Sequence, residues 1–219
     1  GPYFASKATG HFQEEIPNEL CRQPFEELKK IGIICHYGKW LIEGSPNAIL
    51  IDFENYKHRT NEIKKELWDW YKVDSLRAAP DYDEPVVWAY AAGVLIEKLT
   101  KGAADKKNAA HIHEWLSGAG LLYLKKNNAK AATVFTTHAT ILGRTLASSN
   151  VDLYNVWDKI NPDQEVYKYG IESKHLVEKN SAAFADVFTT VSEITGMEAQ
   201  YLHKKKPEVL LPNGLYIKK

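Results

Sequence analysis

The chain has 219 residues, of which 44% are hydrophobic, 26% charged and 11% aromatic, and this composition is typical of a folded protein rather than a disordered one. Its 28 Lys plus Arg balance 28 Asp plus Glu, so no net charge attracts nucleic acid or an anionic membrane to the whole surface. The longest apolar stretch, residues 86–96, is far shorter than the roughly 20 residues that cross a bilayer. Two cysteines and the lack of a signal-peptide pattern predict a cytoplasmic protein.

The first half of the chain alternates between helical and extended patterns. Residues 1–20 show little periodicity in the placement of their hydrophobic residues. Short runs rich in β-branched and aromatic residues, separated by turn residues, predict a hairpin followed by another strand, and apolar side chains at helical spacing predict helices. The predicted elements are a helix over 24–30, strands over 31–37, 39–43 and 48–53, and helices over 61–71 and 85–101.

From residue 108 onward, strands and helices alternate with short connections. This order is typical of an α/β protein with a parallel sheet and crossover helices. The predicted strands are Ala109–His113, Ala132–Thr137, 185–191 and 208–211, and the predicted helices are 115–126, 139–147, 164–184 and 192–203.

Chemically active side chains follow two of these predicted strands. Glu114 comes directly after the strand that ends at His113, and His138 directly after the next strand, with Arg144 in the following helix. Open parallel sheets bind ligands at the carboxyl ends of their strands, and a carboxylate, an imidazole and a guanidinium can bind a polyhydroxylated or phosphorylated ligand. Each residue also has a purely structural alternative: Glu114 as a helix-capping acid, His138 as a core histidine and Arg144 as a surface cation. The spacing alone names no reaction.

Other motifs are weaker guides to chemistry. His111 and His113 lie on one face of a predicted strand, as a metal site requires, but no third close ligand follows them. Gly118 and Gly120 resemble part of a dinucleotide-binding loop, yet they lie inside a predicted helix, where close helix packing explains them better. No serine lies in a Gly-x-Ser-x-Gly elbow, and neither cysteine has a catalytic setting. Nucleophilic hydrolysis is therefore disfavoured.

The strand-end segments carry a family resemblance. Residues 111–118 (HIHEWLSG) and 134–144 (VFTTHATILGR) resemble the glycogen synthases of the animal and fungal type, glycosyltransferase family 3. The resemblance extends from residue 1 to residue 215, in order and with matching gaps. Further segments that carry it are residues 37–44 (YGKWLIEG), 187–195 (VFTTVSEIT) and 211–215 (LPNGL).

The resemblance implies a GT-B glycosyltransferase, in which two Rossmann-like domains face each other across a deep cleft. This chain would supply the N-terminal half, a Rossmann-like parallel sheet with flanking helices. The implied reaction is retaining transfer of glucose from UDP-glucose or ADP-glucose to the 4-hydroxyl of a glycogen non-reducing end. It needs no metal or other cofactor, and the full-length enzyme is expected to be a homo-oligomer.

The resemblance also implies roles for individual residues. His138 would lie beside the donor glucose and stabilise positive charge at its anomeric carbon, Glu114 would lie near the acceptor, and Arg144 would set the electrostatics around sugar and phosphate. His113 and Thr137 are further candidates for substrate binding. Fixed charges and dipoles of this kind suit an oxocarbenium-like centre and a departing phosphate.

The resemblance implies that residues 1–219 form an incomplete N-terminal domain. The family's first strand, with its donor loop, and its second domain are not matched in the chain, so we expect no glucosyl transfer from this chain alone. One alternative function is a non-catalytic glucan-binding or assembly module, for which Trp68 and Trp70 are candidate sugar platforms, although aromatic residues on a helix are more often core. A second alternative is a metal hydrolase built on His111 and His113.

Overall fold

A computed structural model describes residues 1–2 and 10–214 of the chain. Leu215, the last residue of the LPNGL segment, lies outside the described residues. Within them the chain forms a three-stranded sheet and a four-stranded sheet, with helices packed around both.

The first sheet is antiparallel, with the strand order β1-β2-β3. The predicted hairpin of runs 31–37 and 39–43 followed by another strand is wrong, since the hairpin is formed by β2 and β3, which pair along their length across a turn at residues 41–46. The N-terminal strand β1 was not predicted, because three residues are too few to show a period. The strands are β1 (Phe12–Glu14), β2 (Ile34–Trp40) and β3 (Asn47–Asp52).

Gly38 does not separate two strands, so the predicted division into runs 31–37 and 39–43 is wrong. It lies in the middle of β2, paired with Glu14 of β1. A Cβ at this position would collide with the backbone carbonyl oxygen of Gln13. The glycine therefore permits the close approach of β1 and β2 rather than a turn.

Helices connect and cover the first sheet. Asn18 caps α1 by accepting a hydrogen bond from the Cys21 N–H at 3.0 Å. Pro80 begins α3, where the missing N–H of proline costs no helical hydrogen bond. These elements are α1 (Glu19–Lys29), a 3₁₀ helix (Glu54–Arg59), α2 (Thr60–Tyr71) and α3 (Pro80–Gly102).

The second sheet is parallel throughout, with the strand order β4-β5-β6-β7. The α/β fold class and the parallel sheet are therefore confirmed, and β4 and β5 have the predicted bounds. Equivalent strand ends lie side by side, with His113 next to Thr136 and Thr137 next to Thr190. The strands are β4 (Ala109–His113), β5 (Ala132–Thr137), β6 (Val187–Thr190) and β7 (Val209–Leu210).

The helices of this half agree with the predictions except in two places: the short helix Leu153–Val156 is not predicted, and one predicted helix is divided. The predicted helix 164–184 is two helices, which Gly170 separates with a φ of +63°. Glycine adopts this left-handed conformation without the steric cost of a side chain, which makes it a frequent helix terminator. The helices are α4 (Glu114–Lys126), α5 (Ile141–Ser148), α6 (Leu153–Val156), α7 (Pro162–Lys168), α8 (Glu172–Phe184) and α9 (Glu193–Leu202).

One cluster of buried residues joins both sheets. It extends from Phe53, next to the antiparallel sheet, to Phe135 and Phe188 on adjacent parallel strands, whose rings stack with centroids 6.0 Å apart. Gly120 lies where α4 touches α3, and a Cβ there would lie 2.5 Å from the carbonyl oxygen of Ala89. The prediction that the Gly-Ala-Gly motif serves close helix packing is confirmed.

Both cysteines, Cys21 and Cys35, are free thiols. Burial is the main reason that the pKa of Cys35 rises to about 12, which keeps this thiol protonated and unreactive at neutral pH. None of the described helices has the combination of length and apolar composition needed to span a membrane.

Candidate functional site

The carboxyl ends of β4 and β5 bring the three principal candidates together. The Oε1 atom of Glu114 accepts a hydrogen bond from the His138 backbone N–H at 2.8 Å. The same oxygen lies 3.4 Å from Nη2 of Arg144. The His138 ring lies at the same edge, with its Nε2 3.3 Å from Nδ1 of His113. The prediction that a carboxylate, an imidazole and a guanidinium share one edge of the sheet is thus confirmed, while their individual roles stay predictions.

Glu114 is placed by an unusual backbone conformation. Its φ of +60° lies in the left-handed region, which is sterically unfavourable for residues with a side chain and is often found at functional sites. The turn takes the chain from β4 into α4 and leaves the carboxylate 19% exposed. Burial raises the pKa of Glu114, although the His138 N–H and Arg144 act in the opposite direction. The carboxyl therefore exchanges a proton closer to neutral pH than an ordinary glutamate.

Three histidines form a row at the same edge. Nδ1 of His113 lies 3.3 Å from Nε2 of His138, and the rings of His111 and His113 have centroids 4.2 Å apart. Nε2 of His111 is hydrogen-bonded to the Thr136 hydroxyl at 2.7 Å. Burial, followed by the two neighbouring imidazoles, lowers the pKa of His113. His113 is therefore neutral at pH 7 and adds no charge beside His138.

The histidine row does not supply a metal-ligand set. In the part of the chain that the structure describes, no group of three or more His, Cys, Asp or Glu residues is placed to hold a metal ion. The alternative of a metal hydrolase on His111 and His113 therefore lacks the third ligand that such chemistry requires.

Arg144 is exposed to solvent, with 55% of its side chain accessible. It lies in the first turn of α5, where its Nε approaches the Ala139 carbonyl oxygen at 3.4 Å. The weak contacts at 3.4 Å leave most of the guanidinium able to bind a ligand anion.

The structure places Thr137 inside the protein, and its predicted direct contact with substrate is not supported. The residue has no exposed surface. Its hydroxyl donates to Oε1 of Glu178 at 3.0 Å. The reason is that α8 packs behind the carboxyl end of β5 and presents a buried carboxylate there, a contact over 41 residues of sequence that no local pattern predicts.

We expect Thr137→Val to destabilise the chain by about 1–3 kcal/mol, because the variant leaves the buried Glu178 carboxylate without one donor. Thr137→Ser keeps the hydroxyl and is the matched control. The free energy of unfolding in urea, measured for both variants, checks this assignment. A valine variant as stable as the serine variant would contradict the buried role.

Two further acids at this edge were not predicted. Glu178 of α8 and Glu198 of α9 are buried behind the loop that carries His138. Their signal in the sequence is weak, because a glutamate on an amphipathic helix normally lies on the solvated face. The buried His203, whose Nε2 lies 3.1 Å from Oε2 of Glu178, was missed for the same reason.

Comparison with known proteins agrees with the resemblance of the sequence motifs. A family model described as glycogen synthase matches residues 1–219. A glycogen (starch) synthase of Dictyostelium discoideum is 43% identical over 222 residues, which cover 100% of this chain and 25% of that protein. The liver glycogen (starch) synthase of Homo sapiens is 36% identical, covering 100% of this chain and 31% of that protein. Isoform 1 of the Saccharomyces cerevisiae glycogen (starch) synthase is 37% identical, covering 93% of this chain and 29% of that protein.

The chain thus spans about a quarter to a third of the length of these relatives. The family match, in contrast, extends over the whole chain, including both strand-end segments that supply Glu114, His138 and Arg144. This chain belongs to the glycogen synthase family.

Proposed function

We propose that residues 1–219 form the N-terminal wall of a GT-B glycogen synthase, which transfers glucose with retention from a nucleotide-diphosphate glucose to the 4-hydroxyl of a glycogen non-reducing end. The observation that carries the proposal is the Glu114 carboxylate, which is bonded to the His138 N–H at 2.8 Å and lies 3.4 Å from the Arg144 guanidinium. These three side chains lie in the two segments with the most specific family motifs.

The chemistry of the site suits the breaking of a bond between a sugar and a phosphate. The sugar gains positive charge at its anomeric carbon and the leaving phosphate gains negative charge, so the transition state is stabilised by groups of both signs that are fixed in advance. In this proposal, His138 lies beside the anomeric carbon, the exposed Arg144 guanidinium compensates the phosphate charge, and Glu114 faces the acceptor. His113 binds the sugar from the adjacent strand end.

Finer properties belong to the same proposal. The donor is UDP-glucose or ADP-glucose, no metal or other cofactor takes part, and the full-length enzyme is a cytoplasmic homo-oligomer. The free thiols Cys21 and Cys35 support a reducing compartment, since neither is paired in a disulfide.

A chimera tests the proposal directly. Residues 1–219 replace the matching segment of the Dictyostelium glycogen synthase, and glucose incorporation from UDP-glucose into glycogen is measured for the chimera and for this chain alone. We expect transfer by the chimera and none by the chain, because one wall of a cleft neither orients the donor nor excludes water. A folded but inactive chimera would contradict the function, and turnover by the chain alone would contradict the need for a second wall.

A glucan-binding module is the second candidate, and one observation favours it. Trp68 is 49% exposed and borders a surface groove of about 450 Å³ with Asn61, Asp74 and Ser75, a combination of aromatic face and polar groups that suits sugars. Trp70, in contrast, packs against the core. Co-sedimentation of this chain with glycogen that is lost in Trp68→Ala would favour the module, whereas binding that Trp68→Ala leaves unchanged would count against it.

A further inference from the structure

The loop that carries His138 is held by three carboxylates from three different helices. The loop, residues 138–141, joins β5 to α5 and includes the first residue of that helix, and three of its backbone N–H groups each donate to a glutamate. The donor and acceptor pairs are His138 to Glu114 at 2.8 Å, Thr140 to Glu198 at 2.7 Å and Ile141 to Glu178 at 2.8 Å. We call Glu114, Glu178 and Glu198 the carboxylate clamp.

Glu198 holds the start of α5. Its Oε1 accepts both the Thr140 N–H at 2.7 Å and the Thr140 hydroxyl at 2.5 Å. Thr140 is the N-cap of α5, and its hydroxyl oxygen accepts the Gly143 N–H at 2.9 Å. A Cβ at Gly143 would collide with the Glu198 carboxylate. The sequence of α5 is thus fitted to a carboxylate that α9 supplies.

Glu178 holds the other side of the loop. It has no exposed surface, and its two oxygens accept the Thr137 hydroxyl at 3.0 Å and the Ile141 N–H at 2.8 Å. Burial acts to raise the pKa of Glu178, but His203 and the two donors from the loop outweigh it and hold the pKa below its usual range. The carboxylate is therefore charged at neutral pH, and its hydrogen bonds to the loop are charge-assisted.

The energetics point to a role in the conformation of the loop. Removing a carboxylate from water costs several kcal/mol, and a well-packed apolar pair of similar volume is often as stable as buried charges. Glu178 and Glu198 nevertheless occupy this space, and the backbone N–H groups and hydroxyls that hydrogen-bond to them all belong to residues 137–141. The contacts of both acids with backbone N–H groups and hydroxyls therefore converge on the segment on which His138 lies.

We propose that Glu178 and Glu198 are positioning residues for sugar transfer, which hold the 138–141 loop so that His138 faces the cleft. This inference rests on the proposed function, in which His138 lies beside the donor sugar. Neither acid touches substrate, and both act through the backbone of the loop. Glu114 completes the carboxylate clamp and links it to Arg144.

The test compares Glu178→Gln and Glu198→Gln, which keep the side-chain shape and remove the charge. Glu208→Gln is the matched control, because the Glu208 carboxylate also accepts a backbone N–H, from Phe188 at 2.7 Å, but outside the loop. Hydrogen exchange of the His138, Thr140 and Ile141 amides is measured by NMR in this chain. We expect about tenfold faster exchange in the two clamp variants and no change at these amides in the control.

The same variants are measured for glucosyl transfer in the Dictyostelium chimera. We expect kcat to fall about tenfold or more, with the KM for glycogen changed less than about twofold, because a displaced loop misplaces His138, whereas Glu114, which faces the acceptor in the proposed function, lies on α4 outside the loop. Purely structural damage would lower the amount of folded enzyme and leave the kcat of the folded fraction unchanged.

Exchange rates equal to those of the control would overturn the proposal, and so would faster exchange with an unchanged kcat. If the wild-type chimera transfers no glucose, the proposed function fails, and the exchange rates alone decide whether the clamp holds the loop. Should a glutamine variant not fold, Thr140→Val removes the hydroxyl donor to Glu198 and keeps both carboxylates. Its expected effect is about threefold faster exchange at the same amides, and unchanged exchange would again overturn the proposal.

Discussion

Replacing His138 with alanine in the Dictyostelium chimera is expected to lower kcat for glucosyl transfer by about 100-fold or more. The expected loss of folding stability is small, about 1 kcal/mol or less. The activity is expected to fall because, in the proposed function, the variant removes the imidazole that lies beside the developing positive charge. The stability is expected to change little because the backbone N–H of residue 138 keeps its hydrogen bond to Glu114, and because the imidazole is partly exposed, with its Nε2 at a long 3.3 Å from Nδ1 of His113.

The measurement pairs steady-state kinetics with urea unfolding of the same preparations. His58→Ala is the control, because His58 is an exposed histidine in the 3₁₀ helix of the other half of the chain. We expect the control to retain kcat within about twofold of the wild type. An alanine variant at 138 with a similar kcat would show that the imidazole has no part in transfer.

The largest effect on stability is expected from Gly120→Ala in α4. A Cβ at this position would lie 2.5 Å from the backbone carbonyl oxygen of Ala89 in α3, and a backbone atom cannot move aside as the end of a side chain can. Gly93 of α3 faces Gly120, and a side chain is excluded there too, since a Cβ at Gly93 would lie 2.8 Å from the Gly120 carbonyl oxygen. Separating the two helices costs about 2–3 kcal/mol, which for a chain of this length lowers Tm by about 5–10 °C.

Gly102→Ala is the matched control for this prediction. Gly102 is also helical, at the end of α3, but a Cβ there would meet only the Leu20 Cδ1 atom at an ordinary 3.6 Å. The control should be unchanged or stabilised by up to about 1 kcal/mol, because alanine is the better helix former. The Tm of both variants is measured by thermal unfolding. A Gly120→Ala variant with the same Tm as Gly102→Ala would contradict the close packing of α3 on α4.

The sequence predicts the parallel half of the fold well. Strands β4 and β5 have the predicted bounds, because apolar residues and short connections mark both ends of each strand. The common edge of Glu114, His138 and Arg144 also follows from the sequence, since parallel strands present their carboxyl ends on the same side of a sheet. The Gly-Ala-Gly motif lies within a helical pattern, and the sequence therefore predicts its use in helix packing.

The sequence does not predict features in which a local pattern competes with a distant contact. Glycine is a typical turn residue, but Gly38 lies within β2. Strand β1 passes so close to this position that a side chain would not fit. The break at Gly170 interrupts a pattern that otherwise continues through residues 164–184. In both cases a glycine has more than one structural use, and only its surroundings select between them.

The sequence by itself determined the α/β class, the alternation of elements after residue 108 and the residues that end the strands, because these depend on side chains close together along the chain. Only the tertiary structure decided that Thr137 faces inward and that Glu178 and Glu198 hold the loop of His138. These contacts join residues 37 to 58 positions apart, and they exist because α8 and α9 pack against the ends of β5 and β6. Burial, which turns a glutamate from a solvated surface group into a fixed acceptor for backbone N–H groups, is a property of that packing.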